Sequence, residues 1–95
     1  MRSPLEVSDI HFHPAAPDQR AKGLHGWVLC VLNGVVILDS LAIRRNVEGR
    51  FVISFPGRID AGGKRHPYFQ AATPAARAAI ESQVLRELAE RGLLE

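Results

Sequence analysis

Six of the chain's twelve Lys and Arg residues, Arg44, Arg45, Arg50, Arg58, Lys64 and Arg65, fall between Arg44 and His66, where only Glu48 and Asp60 oppose them. Six cations against two carboxylates leave that segment at +4, while the flanking segments each carry three cations against four carboxylates, so a formal total of +2 conceals a local basic patch. Such asymmetry points to a polyanionic partner. Guanidinium groups grip phosphate bidentately and an ammonium acts as a point charge, and Gly57, Gly62 and Gly63 would leave backbone amides open to the same oxygens. The stretch GRIDAGGKRH has a superficial likeness to a phosphate cradle, but its glycine spacing is not that of a P-loop and no helix opens directly after it. A plain solvated cationic loop is the competing reading.

Other chemistry has little to work with. There is no GxSxG elbow, HExxH helix or paired-cysteine zinc pattern, and the four histidines lie in unrelated contexts, so no catalytic residue, metal site or cofactor is predicted and the chain reads as a non-enzyme. Asp9, His11 and His13 would share a strand face and could begin a metal site, yet no cluster supplies the remaining ligands at familiar spacing. Cys30, the only cysteine, lies in an apolar run and reads as a small buried hydrophobe rather than a reactive thiol.

These residues need a scaffold. Leu5 and Val7 alternate in one phase and Ile10 and Phe12 in the other, so a first strand over Leu5 to His13 requires a bulge near Ser8 and Asp9. Pro14 to Gly23 reads as a loop. Two apolar runs, Leu24 to Leu32 and Val35 to Ile43, flank Asn33-Gly34, a pair suited to the positive φ angles of a type I′ turn. Both faces of Trp27 to Leu38 are apolar, and one helix can cover only one of them. A symmetry mate is the economical second cover, with Trp27, Leu29, Val31, Val36 and Leu38 expected at the interface. Trp27 is thus read as a core or interface anchor, not a base-stacking platform.

A strand over Arg50 to Pro56 puts Phe51, Ile53 and Phe55 on one face. Gly57 to Lys64 is expected as a loop, with Tyr68 and Phe69 opening a short extended segment after it. Thr73 as N-cap, Pro74 at the first helical position and Gly92 as stop delimit a helix with Ala76, Ile80, Val84 and Leu88 on one stripe, joined by Leu85. Its far side pairs Arg77 with Glu81, Arg86 with Glu90, and Glu87 with Arg91, and reads as a solvated face. The expected fold is therefore α+β, a small antiparallel sheet with one C-terminal helix in a single domain over 1–95, forming a strand-mediated homodimer. A lone cysteine, no signal-peptide pattern in MRSPLEVSD and no span-length apolar run lead to the expectation of a soluble, cytoplasmic protein without a membrane partner.

The order of these features resembles the SpoVG family, the bacterial stage V sporulation protein G or septation regulator proteins. The likeness runs from Leu5 to about Leu88 and is carried by LEVSDI, by LAIRRNVEGRFVISFPGR, by DAGGK and by the helix ending ESQVL. It implies a strand-mediated dimer that regulates gene expression by binding DNA or RNA, with no enzyme activity. Of the family's two basic positions after the strand-ending proline, the first falls on Arg58 and the second on Ile59, with Lys64 and Arg65 a few residues on. The family's His-Pro pair before the helix corresponds to Gln70 and Ala71. A protein-interaction adaptor in septation or sporulation, its basic loop meeting an acidic partner, is the alternative from another class.

Overall fold

The computed structural model describes residues 5–94, so the domain is seen over those residues, and the expectations for the extreme N-terminus lie partly outside them. β1 (Val7–Pro14), β2 (Leu24–Leu32), β3 (Val36–Arg45) and β4 (Phe51–Ser54) form an antiparallel sheet in the order β1-β2-β3-β4. A 17-residue helix, α2 (Pro74–Glu90), lies across one face, giving the α+β arrangement predicted. Between β4 and α2, β5 (Gly57–Ile59) and β6 (Arg65–Pro67) pair as a separate two-stranded hairpin.

Local signals account for most of this. Asn33 and Gly34 adopt φ angles of 53° and 69°, and the Val35 amide donates to the Leu32 carbonyl at 3.1 Å, closing the tight turn between β2 and β3. In β1 the pairing steps from Ser8↔Val31 to His11↔Leu29, so Asp9 and Ile10 together oppose one residue of β2. Asp9 takes the positive φ of 49° at this bulge. The phase change brings Leu5, Val7, Ile10 and Phe12 to the same core, as the sequence required. At α2, the Thr73 hydroxyl accepts from the Ala76 amide at 3.0 Å and Gly92 leaves the helix at φ 72°.

Two loops turn out to be ordered. The segment after Pro14 contains a short helix, α1 (Pro17–Ala21), rather than a featureless loop: Pro17 presets the first turn and the Gln19 side chain accepts from the Ala16 amide at 3.3 Å. The predicted loop from Gly57 to Lys64 starts as strand β5, and the extended segment placed at Tyr68 and Phe69 begins earlier, at Arg65. Both shifts have one cause: β5 and β6 are too short to show an alternation in sequence, and only their mutual pairing defines them.

Ile80, Val84 and Leu88 of α2 pack on Val28, Cys30, Leu41, Ile43 and Ile53. Ala76 and Leu85 lie half-buried at the margins of this stripe. Cys30 is fully buried, and desolvation pushes its thiol pKa up, which keeps it an unreactive core group. Among the described residues His25 is the one buried polar residue, 7% exposed. Its Nε2 donates to the Leu93 carbonyl at 2.6 Å, and its ring meets Phe12 and Phe51.

The polar side of α2 does more than face water. Gln83 accepts from the Val7 amide at 2.8 Å and donates to the Leu5 carbonyl at 2.9 Å, while Arg91 donates to the Ile10 carbonyl at 2.9 Å. On the opposite edge Glu81 accepts from the Ile53 amide at 2.8 Å and Arg77 donates to the Ile53 carbonyl. Both sheet edges thus have outward backbone groups sealed by helix side chains. Arg77–Glu81 at 3.8 Å and Arg91–Glu87 also form the expected ion pairs, whereas Arg86 and Glu90 do not pair.

Among the described residues α2 covers only one face of the sheet, and on the second face Trp27, Leu29 and Val31 are half-buried. Cross-strand partners share a face, so Trp27, Leu29 and Val31 of β2 lie there with Ile37 of β3, His11 and His13 of β1, and Val52 of β4. Two residues expected on this face lie on the other. The Asn33-Gly34 turn pairs Val36 with Leu32 and Leu38 with Cys30, which puts Val36 and Leu38 in the phase of the helix-covered core. Leu38 is 7% exposed there, and the open position falls to Ile37, at 66%.

Candidate functional site

The β5–β6 hairpin is built around Asp60. Its Oδ1 accepts from the amides of Gly62 and Lys64, both at 2.9 Å, and its Oδ2 lies 2.6 Å from His66 Nε2. The Asp60 amide donates to the Lys64 carbonyl at 2.9 Å, the Gly63 amide donates to the Asp60 carbonyl at 3.0 Å, and Gly63 takes φ 85°. The His66 hydrogen bond, with those from the Lys64, Gly62 and Gly63 amides, holds the Asp60 carboxyl below the usual carboxylate range. This overturns one expectation. The amides of Gly62 and Gly63 do not stand open to an anion, because the Asp60 carboxylate takes the first and the Asp60 carbonyl the second. At Gly57 a Cβ would come within 2.5 Å of the His66 carbonyl oxygen, so glycine there serves the close approach of the two strands.

The six cations of the basic segment divide into two groups. Arg58 on β5 and Lys64 beside β6 are exposed, and neither side chain has a hydrogen-bond or ion-pair partner among the described residues. Arg65 is also exposed, but its guanidinium donates to the Phe55 carbonyl and ties the hairpin to the end of β4. Arg44 and Arg45 end β3, and Arg50 directly precedes β4. The Arg45 guanidinium lies 4.7 Å from the Phe51 ring centroid, and the Arg50 amide donates to Asn46 Oδ1 at 2.9 Å. Arg44 is exposed, in the phase of the uncovered sheet face.

Sequence spacing does not reveal the hairpin's surface. Arg58 pairs with His66, and the Tyr68 amide continues the ladder by donating to the Pro56 carbonyl at 2.9 Å. Arg58, His66 and Tyr68 therefore fall in one phase, while Ile59 and Arg65 take the other. Phe69 packs edge-on against Phe55 at 6.0 Å and half-buries, whereas its neighbour Tyr68 stays 67% exposed.

A second cationic region escaped the sequence reading as well. A cleft of about 540 Å³ at the β1 edge is lined by His11, His13, Arg20 and Arg91 around Phe12 and Leu93. Arg20 also borders a smaller cleft of about 210 Å³ with His25 and Arg45. The signal was hidden because Arg20 and Arg91 are 71 positions apart in sequence. Among the described residues no three His, Cys, Asp or Glu groups converge to hold a metal, and no helix is long and apolar enough to cross a membrane.

No family model matches the chain, and no curated protein matches it either.

Proposed function

We propose that this protein is a nucleic-acid-binding regulator that engages DNA or RNA through the β5–β6 hairpin and acts as a homodimer. The observation that carries the reading is the hairpin itself: Arg58 and Lys64 are fixed on a short, tightly bonded scaffold, and neither side chain has an ion-pair partner among the described residues. Guanidinium and ammonium groups held this way suit phosphate, and the backbone polyanion supplies phosphates at regular intervals. The likeness of GRFVISFPGR and DAGGK to SpoVG proteins supports the same role. Arg44, Arg45 and Arg50 form a separate cationic area at the other end of β4, and Arg65 acts mainly by holding the hairpin in place.

The uncovered sheet face supports the dimer. Trp27, Leu29, Val31 and Ile37 form an apolar stripe, whereas α2 side chains already hold outward backbone groups of both edge strands, at Val7 and at Ile53. Pairing face to face is therefore the mode this chain favours. The same stripe favours the second reading, an adaptor that binds another protein through this face.

Binding to random-sequence duplex and single strands, followed by anisotropy across salt concentrations, tests the proposal. A slope of about −0.9 in log K per log salt is expected for each phosphate neutralised on duplex DNA. The Arg58→Ala, Lys64→Ala double variant should lose affinity and flatten that slope. If it stays folded and binds as the parent does, the hairpin is not the site. If the parent binds no nucleic acid at low salt, the adaptor reading replaces this one. For the dimer, Leu29→Asp should sediment as a folded monomer, and an already monomeric parent at micromolar concentration would remove that part.

A further inference from the structure

Tyr68 follows β6 in the same register phase as Arg58 and His66, and it is 67% exposed. Two cation-bearing positions accompany it: Arg58 lies in the same phase, and Lys64 closes the turn above it. Its backbone is held from both sides, by the amide hydrogen bond to the Pro56 carbonyl at 2.9 Å and by Phe69, whose ring is anchored on Phe55. His66 sits between Arg58 and Tyr68 in the same phase and is itself fixed by Asp60 at 2.6 Å. A two-thirds exposed tyrosine on a fixed backbone, in the same register phase as the unpartnered Arg58, presents a flat π surface on a side of the hairpin that also carries positive charge.

We propose that Tyr68 is a stacking platform for an unpaired base, and that the hairpin's ligand is single-stranded nucleic acid, with Arg58 and Lys64 taking the flanking phosphates. This rests on the nucleic-acid reading above and narrows it. In a duplex, each base is already stacked on its neighbours and offers the protein an edge, not a face. A splayed single strand offers both, and every base has a π surface, so such a platform binds without a sequence code. The narrow hairpin, three residues per strand, suits insertion beside a flexible strand rather than readout across a groove.

The test compares the full chain with Tyr68→Ala and Tyr68→Phe. Ligands are mixed-sequence single strands about 12 nucleotides long, as DNA and as RNA, and the matching duplex. Tyr68→Ala is expected to weaken single-strand binding roughly 5- to 100-fold, while Tyr68→Phe, which keeps the ring, stays close to the parent. Duplex binding should change little in either variant. Circular dichroism checks folding, which an exposed side chain should not disturb. Unchanged single-strand affinity in Tyr68→Ala would overturn the platform, as would an equal loss on duplex and single strand. A parent that binds duplex alone defeats this inference and leaves the nucleic-acid reading standing, whereas a parent that binds neither defeats both.

Discussion

The turns that close β3–β4 and β5–β6 have the same hydrogen-bond pattern and opposite chemistry at one atom. In the first, Asn46 Oδ1 accepts from the amides of Glu48 at 3.0 Å and Arg50 at 2.9 Å, and Gly49 takes φ 82°. In the second, Asp60 Oδ1 accepts from Gly62 and Lys64, and Gly63 takes φ 85°. Each is a short hairpin loop in which an Asx side chain organises the turn and a glycine supplies the left-handed residue. Each delivers a cation, Arg50 or Lys64, to its last position. One turn sits within the main sheet and uses a neutral amide, while the other sits on the projecting hairpin and uses a carboxylate that also binds His66. Shape alone therefore does not distinguish them, but location and charge do: the first contributes to the stability of the whole domain, the second to the order of a local surface.

Substitutions can test that division. Asn46→Ala removes the acceptor of two amides inside the cooperative sheet and should cost about 1–2 kcal/mol of global stability, read by urea unfolding with Trp27 fluorescence. An unchanged midpoint would mean that the first turn is as local as the second. Gly49→Ala forces an L-residue into the left-handed region at a cost of about 1 kcal/mol, whereas Gly63→Ala, equally strained locally, should leave the unfolding midpoint near the parent's. Asp60→Ala should likewise leave global unfolding unmoved while broadening the hairpin amide signals and weakening nucleic-acid binding. A large global loss from Asp60→Ala would show that the hairpin folds with the sheet as one unit.

The smallest effect is the most specific. The Asp60 pKa is depressed in the folded state, first by the His66 hydrogen bond and then by the Lys64 amide. Its stabilising influence is thus complete above the unfolded carboxylate value of about 3.9 and is lost as pH falls through the lower folded value. The Lys64 amide shift should report a transition below that pH, while the Arg50 amide beside Asn46 should show none from its own turn. Asp60→Asn should keep the turn and abolish the transition. Asn46→Asp should create one, and failure of that exchange would mean that the two turns are less alike than their hydrogen bonds indicate.

Strong local preferences made much of the fold legible in sequence. Asn33-Gly34, the Ser8–Asp9 phase break and the Thr73, Pro74 and Gly92 signals each act within a few residues of themselves, and each appears where expected. The candidate site was legible only as a net charge. Arg58 and Lys64 have no side-chain partner among the described residues, but Arg65 became a strut, and the glycine amides went to Asp60.

Local chemistry thus determined the turns, the bulge in β1 and the C-terminal helix from the sequence by itself, because turn, cap and periodicity preferences are energetic properties of short segments. Tertiary structure decided which face each residue of β3 occupies. A second bulge at Asp39 and Ser40, where Ser40 takes φ 61°, joins the turn register, in which Leu38 faces the core, to the register beyond it, so that Leu41 and Ile43 reach the same core. It also decided that Gln83, Glu81, Arg77 and Arg91 seal the sheet edges rather than face water, through partners up to 81 residues distant. Of two adjacent aromatics, Phe69 went to the core and Tyr68 to the surface. Those choices depend on which groups the folded chain brings within a few ångströms, and no segment read alone contains that information.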